Sequence, residues 1–507
     1  IMRNNYYITT PIYYVNDKPH IGHAYTSIAC DIMARFKRLD GYNVKFLTGT
    51  DEHGQKVEKA ALAQNKTPLE YADVISKDFR ALTKTLNLSN DDFIRTTEKR
   101  HKIASENLWK KLFDNNHIYL SKYSGWYALR DEAFYSEKEI TNGKAPTGAE
   151  VTWVEEESYF FDLSKWQDQL LNFYDENPTF IYPISRMNEV KSFVKSGLRD
   201  LSVSRTSFEW GVKVPNNNHH IMYVWLDALT NYLSAVGYPD INNSEYIDFW
   251  PSNLHMVGKD ILRFHAVYWP AFLLAADLPL PKRIFAHGWW TNEGKKISKS
   301  DGNVIDPIDI INDYGLDQIR YFLMREVPFG SDGDFSKVAL KARINSDLSN
   351  DLGNLCQRVI SMIYKNCNGE IPLKCEMLNE QDKLFYNKSN ALYNEVKLEI
   401  EKQSFHEALK LIWKFISTAN KYVDEQAPWK LKNENKTRME DVLWILADNI
   451  RKIAILTQPF IPYASKKILD QLSIDFNERD FTYLDSKYFI KSNKIESPKP
   501  IFPRLDN

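Results

Sequence analysis

The first fifty residues constrain this chain most. An apolar, strand-like run (6–14) leads into the tetrad His20-Ile21-Gly22-His23, a helical pattern follows, and a second apolar run (44–47) comes after it. Between residues 21 and 39 the apolar positions Ala24, Ile28, Ile32, Phe36 and Leu39 recur at helical spacing. Lys37 and Arg38 fall in the last turn and Gly41 stands just beyond, the pattern of a buried helix with a marked end. Strand, helix, strand opens a parallel α/β sheet, where ligands bind beyond the carboxyl ends of the strands. The second strand delivers Gly49-Thr50-Asp51-Glu52-His53-Gly54 to that edge.

A second segment, Lys296-Ile297-Ser298-Lys299-Ser300, follows the apolar run 283–290 and precedes another helical pattern. Taken alone it reads as a solvated loop, with Lys295 and two serines set between Gly294 and Gly302. With 507 residues the chain exceeds one ordinary core, and its length suggests about three domains. The α/β alternation breaks between about 116 and 214, a stretch rich in Tyr, Trp, Ser and Glu with strand-like pieces at 125–129 and 159–163. It resumes at 221–225 and 254–257. Beyond 336, helical patterns at 352–364, 405–423 and 439–456 dominate, and the charge run 430–438 reads as a solvated inter-helix loop. The expected division is 1–115, 116–214 as an insertion, 215–335, and a helical 336–507.

Hydrophobic residues make up 43% of the chain and charged residues 26%, a globular balance rather than a disordered one. A net charge of -2 carries no global nucleic-acid signal, so an RNA partner must be held by local basic surface. Cys30, Cys356, Cys367 and Cys375 show no paired short spacing and read as reduced thiols of a cytoplasmic protein. No apolar run approaches the roughly 20 residues of a membrane span, so no membrane partner is expected.

Further segments join the two signatures: Thr10-Pro11-Ile12-Tyr13-Tyr14-Val15-Asn16, Trp225-Leu226-Asp227-Ala228, Gly258-Lys259-Asp260, and Tyr422-Val423-Asp424-Glu425-Gln426-Ala427-Pro428-Trp429. Together, from about residue 6 to 503, they closely resemble the methionyl-tRNA synthetase family of class I aminoacyl-tRNA synthetases. The resemblance implies an α/β fold: a Rossmann-type parallel-sheet catalytic domain split by a connective insertion, then an α-helical anticodon-binding domain. It implies a methionine-tRNA ligase that activates L-methionine with ATP to methionyl-adenylate and pyrophosphate. The amino acid then passes to the 3′-terminal ribose of tRNA(Met).

Adenylation builds negative charge on phosphates, so placement and electrostatics carry most of it. By the resemblance, His20 and His23 donate to phosphate oxygens at a helix terminus that already favours anions, and Gly22 lets the nucleotide approach the backbone. Lys296 and Lys299 act as point charges in a loop that closes over ATP, with Ser298 and Ser300 beside them and Gly294 and Gly302 giving mobility. Ile297 stands where the family usually has methionine. Gly258 and Asp260 are placed near the adenosine. Mg²⁺ accompanies ATP, with no dedicated carboxylate cage evident.

For methionine, Asp51 is expected to take the ammonium, while Ile12, Tyr14, Trp225, Ala228, Tyr232, Ile261 and His265 line the side-chain cavity. Tyr14 and His265 are also expected to donate to the sulfur. Arg205 fits a contact to the substrate carboxylate, a contact to the tRNA end, or a surface salt bridge. In the helical domain Trp429 would stack on an anticodon base, and Asn354 and Arg358 would bond base edges, or pair with each other on the surface.

Many relatives carry a zinc knuckle of paired cysteines in the insertion. Here 123–132 reads Tyr-Ser-Gly-Trp-Tyr-Ala-Leu-Arg-Asp-Glu, resembling the bacterial zinc-free branch, so no metal ligand and no zinc are expected. Trp126 and Tyr127 would form a small hydrophobic cluster instead. The two signatures stand too close for the editing domain of the branched-chain synthetases, and a small-molecule adenylyltransferase would not need the helical third. The chain ends soon after Phe502-Pro503 without an appended dimerising domain, which favours a monomer.

Overall fold

The computed structural model describes residues 4–16 and 18–506 and divides into two compact units. One comprises Asn5–Cys30 and Val44–His287; the other comprises Asp31–Asn43 and the chain from Gly288 on.

The first unit is organised by a parallel sheet, seven-stranded among the described residues, in the order Tyr13–Tyr14, Asn43–Asp51, Asn5–Thr9, Leu254–Gly258, Ile284–His287 and Ile181–Tyr182, with Asp92–Arg95 also paired to Asn43–Asp51. Ile8 lies opposite Leu254, and Gly258 opposite His287. The strands are buried along nearly their whole length, as parallel strands covered on their faces must be.

The run 6–14 divides in two because Pro11 has no N–H to give a ladder. Its second piece rejoins the sheet with Tyr13 opposite Thr50 and Tyr14 opposite Asp51. The strand expected at 44–47 runs further, to Asp51. Thr48 and Thr50 break its apolar pattern, yet both are buried with their hydroxyls bonded, to Thr10 Oγ1 at 2.8 Å and to Glu52 at 2.5 Å. The helix Ile21–Leu39 falls where its periodicity puts it.

The stretch 116–214 builds a four-stranded antiparallel sheet in the order Ala133–Tyr135, Ile118–Ala128, Thr152–Phe161 and Leu201–Ser202. It also returns one strand, Ile181–Tyr182, to the edge of the main sheet. The parallel alternation does not resume at 221–225. Asn217–Met222 instead lies in a separate antiparallel sheet with Ser204–Arg205 and Lys213–Val214, and the helix Val224–Ser234 begins at once. A short apolar run fits the end of a strand and the start of a buried helix equally well.

The second unit holds a small sheet, Lys295–Lys296 and Gly333–Phe335 flanking Trp290–Asn292, and the long helices Glu380–Glu401, Phe405–Gln426 and Lys436–Thr457. The 352–364 pattern begins as a π-helix, Ile344–Gly353, and continues as the α-helix Asn354–Asn366. The charge run 430–438 is helical rather than a loop: Pro428–Glu434 and Lys436–Thr457 are separated by Asn435 alone, whose side chain caps the second helix. Proline suits a first helical position, and lysine and glutamate are good helix formers on a solvated face.

Asp31 and Arg320 form a fully buried pair at 2.8 Å, and Arg320 also donates to the carbonyls of Phe460 and Pro459 at 3.0 and 2.7 Å. Those added bonds are what let a buried charge pair persist. Among the described residues no helix is long and apolar enough to cross a membrane.

Candidate active site

The sheet's carboxyl edge in the first unit collects the histidine tetrad, Asp51, Gly258 and His287. At the start of the helix Ile21–Leu39, His20 Nδ1 accepts from Gly22 N–H at 3.1 Å, and His23 Nδ1 accepts from His20 N–H at 3.0 Å. A ring nitrogen that accepts carries no proton, so each histidine holds its hydrogen on Nε2. The rings lie 4.0 Å apart, with His23 also edge-on to Tyr13 and Phe79. Burial, with His20 adding to it, pushes the His23 imidazole well below its usual range, so it is a neutral donor at pH 7. A Cβ on Gly22 would stand 2.9 Å from the His20 ring, which explains the glycine between the histidines.

Gly258 ends its strand beside Asp260, and a Cβ there would meet Asp260 Oδ1 at 2.5 Å. The Asp260 carboxylate thus sits where a side chain at 258 would stand. His287, in register with Gly258, touches Thr26 Oγ1 at 2.6 Å.

Ile12, Trp225 and Ile261 pack against one core, to which Tyr232 belongs. Trp225, Ala228 and Tyr232 share a face of the helix Val224–Ser234 by their spacing. The Trp225 ring stacks on Phe264 at 3.9 Å, nearly parallel, with His265 6.0 Å away at a right angle. His265 Nδ1 lies 3.0 Å from the Ile261 carbonyl, which can only accept. Its proton is therefore on Nδ1, and Nε2 accepts from Tyr232 O–H at 2.8 Å. Burial holds this imidazole down at about 4. Tyr14 O–H donates to Glu132. Both protons expected to reach a thioether sulfur are engaged inside the protein in this arrangement.

Asp51 is buried, its Oδ1 has no hydrogen-bond partner, and its carboxyl is raised well above the usual range by burial and then by Asp227, Glu132 and Glu52. Asp227 stays ionised. Burial alone would raise it, but His53 at 2.7 Å and His101 at 2.6 Å outweigh burial and hold it below the usual carboxylate range. An unpartnered carboxylate oxygen among three other acids lacks one thing, a cation.

Sequence reasoning missed His101, which carries no local signature; His53, Glu132 and Asp227 stood inside quoted segments without an assigned role. Among the described residues no group of three or more His, Cys, Asp and Glu stands together as a metal site.

Arg205 is buried, paired with Glu156, and lies over the Tyr127 and Phe134 rings at 4.1 and 4.9 Å. It is an internal tie of the insertion rather than a surface bridge, and one of its guanidinium nitrogens is buried without a partner. Tyr123, Tyr127 and Phe134 form the aromatic cluster. Trp126 packs instead on Trp153 at 5.2 Å, because successive strand residues point to opposite faces.

In the second unit, Lys296 pairs with Thr291 and is exposed, as is Lys299. Asn303 fastens this loop: it accepts from Ser298 N at 2.9 Å, donates to the Lys296 carbonyl at 2.9 Å, and accepts at its own carbonyl from Asn292 at 2.8 Å. Ser298 and Ser300 hydroxyls meet at 2.7 Å. Gly294 and Gly302 turn the chain at φ 79° and 65°, where other residues are strained. Further along, Arg358 donates to Asp424 at 3.1 Å rather than pairing with Asn354, which is exposed. Trp429 is 46% exposed, set by a left-handed Ala427 at φ 45° and by Pro428.

Known proteins share both parts. The model for class I tRNA synthetases (M) matches residues 6–151 and 139–360, and that for the anticodon-binding domain of tRNA ligases matches 382–501. The methionine–tRNA ligase of Rickettsia felis is 58% identical over 509 residues, covering 100% of this chain and 99% of its own. That of Rhizobium meliloti is 52% identical, covering 98% of each. Mycobacterium tuberculosis methionyl-tRNA synthetase in complex with methionyl-adenylate superimposes with a TM-score of 0.96 at 47% identity, over 99% of this chain and 100% of that one. This chain belongs to the methionine–tRNA ligase family of class I tRNA synthetases.

Proposed function

We propose that the chain joins the carboxylate of L-methionine to the α-phosphorus of ATP, breaking the bond to pyrophosphate. Methionyl-adenylate then gives its acyl group to the 3′-terminal ribose hydroxyl of tRNA(Met), and AMP leaves. Asp51 is the observation that carries this reading, because its unpartnered, acid-surrounded carboxylate suits the ammonium of an amino acid. Trp225, Tyr232 and Ile261 supply an apolar wall for a long side chain, and His265 sets that wall through Tyr232.

Nε2 hydrogens of His20 and His23 donate to phosphate oxygens as charge builds there. Lys296 and Lys299 are assigned to the departing pyrophosphate on the strength of their signature. Gly258 and Asp260 take the adenosine, and Mg²⁺ enters with ATP as part of that substrate. The reading places the protein in the cytoplasm and its chemistry without zinc. Trp429, Asn354 and Arg358 are assigned to the anticodon.

Pyrophosphate exchange measured with each amino acid in turn is the test. Methionine is expected to support exchange best. Norleucine and homocysteine should follow it, because pocket shape separates methylene-sized differences by only about 1–3 kcal/mol. No exchange with methionine, or faster exchange with another amino acid, overturns the assignment.

For the anticodon role, Trp429→Ala is expected to lower the kcat/KM of tRNA charging by about 10–100-fold, the worth of one stacked base, with pyrophosphate exchange within twofold of the unsubstituted chain. Equal losses in both assays would make Trp429 a folding residue.

A further inference from the structure

We propose that Glu132, carried by the insertion, is a positioning residue of the methionine site that holds the Tyr14 phenol in the pocket wall. The inference rests on the reading that this site takes methionine.

Glu132 is 4% exposed and adopts φ 47° in the turn closed by its N–H to the Leu129 carbonyl. Its Oε1 accepts from Tyr14 O–H and lies 3.4 Å from Lys56 N. Lys56 is the second residue of the helix Gln55–Ala63, which has no side-chain cap from its own N-cap residue, Gly54. The same segment is held from the other side, since Lys56 Nζ donates to the Arg130 carbonyl at 3.0 Å. A Cβ on Gly54 would stand 2.6 Å from Glu132 Oε1 and 2.7 Å from the Tyr14 hydroxyl. Only glycine, at φ 114°, lets the carboxylate and the phenol meet at that point.

Tyr14 lies opposite Asp51 in the sheet, and both Asp51 Oδ1 and Glu132 Oε2 are buried without partners. The Glu132 side chain therefore carries the insertion to the amino-acid site. A residue meant only to cap a helix would not need the phenol. Burial brings the Glu132 carboxyl up to about 7 despite Tyr14, the Lys56 amide and the Lys56 and Arg205 charges, which lower it. Tyr14, whose own proton burial holds tightly, is the donor of the pair.

Methionine-dependent pyrophosphate exchange on the full chain tests this, with Glu132→Ala and Glu132→Gln made alone and on Tyr14→Phe. Loss of a hydrogen bond to a charged acceptor is expected to raise the methionine KM about tenfold in Glu132→Ala, with kcat and the ATP KM within twofold. Glu132→Gln, which keeps an acceptor oxygen, should recover most of that loss. On the Tyr14→Phe background neither substitution should add as much as a factor of two.

An unchanged methionine KM overturns the proposal, and so does a full effect on the Tyr14→Phe background. A parallel fall in kcat and weakening of ATP would reduce Glu132 to a structural cap, which also overturns it. If Glu132→Ala does not fold, Glu132→Gln completes the same cycle, with a rise of about threefold expected, and only when Tyr14 is present. Absence of methionine-dependent exchange in the unsubstituted chain is a separate result, one that removes the functional reading itself.

Discussion

Asp51→Asn is expected to raise the methionine KM in pyrophosphate exchange by about 10²–10³-fold, the scale of stripping a buried charge of its partner, while raising the thermal midpoint of the unliganded protein. Two effects of opposite sign meet at this residue. In the unliganded protein an ionised Asp51 is a cost, because its Oδ1 has no partner and Asp227, Glu132 and Glu52 repel it. An asparagine removes that charge and the repulsion with it. With methionine bound, the ammonium cancels the repulsion and the carboxylate becomes the main anchor.

The pH dependence follows from the raised carboxyl. Stability of the unliganded protein is highest where Asp51 is protonated and is lost as pH rises through its raised value, whereas methionine affinity is gained over the same window. Calorimetric unfolding with and without methionine, on both chains, reads these effects directly. A lower midpoint for Asp51→Asn, or a methionine KM within threefold, would sink the account.

How much of this was legible in the sequence depends on how far apart the interacting residues lie. The helix Ile21–Leu39 was readable because its face, its basic last turn and Gly41 all agree locally. The strand before the motif at Gly49–Gly54 was read too short because its buried threonines have satisfied hydroxyls, Thr48 by Thr10 of a distant segment and Thr50 by Glu52 two residues on, and apolar patterning does not reveal either bond. The charge run at 430–438 misled for the opposite reason: its residues suit an exposed helix as well as a loop.

At the site, the motif residues stood out as motifs while their protonation did not. The proton on His265 Nδ1 is set by the Ile261 carbonyl one turn away and by Tyr232 33 positions back. The role of Glu132 was invisible because Tyr14 lies 118 positions from it in the chain and Lys56 lies 76. Residue types at a site follow from chemistry, whereas donor and acceptor roles follow from packing between distant segments.

The histidine tetrad makes that distinction measurable. His23→Ala is expected to lower kcat for adenylate formation by about 10²–10³-fold, the usual loss when one donor to a developing anion is removed, with methionine binding unchanged because His23 is not among the residues assigned to the amino acid. The donor here is a neutral ring: its Nδ1 accepts from the His20 amide, and burial keeps its imidazole well below the usual range. Activity should therefore show no loss assignable to His23 as pH rises from 6 to 8, since no proton is lost from Nε2 there. A histidine acting as a cation would behave in the opposite way, its contribution falling away as pH passed its titration. Gly22→Ala gives an independent check, because its methyl would crowd the His20 ring at 2.9 Å and leave the bond from the His20 amide to His23 Nδ1 to be tested by the same pH profile. If His23→Ala instead removes a pH-dependent limb from the kcat profile of the unsubstituted chain, the neutral-donor assignment fails and the tetrad works as a charge.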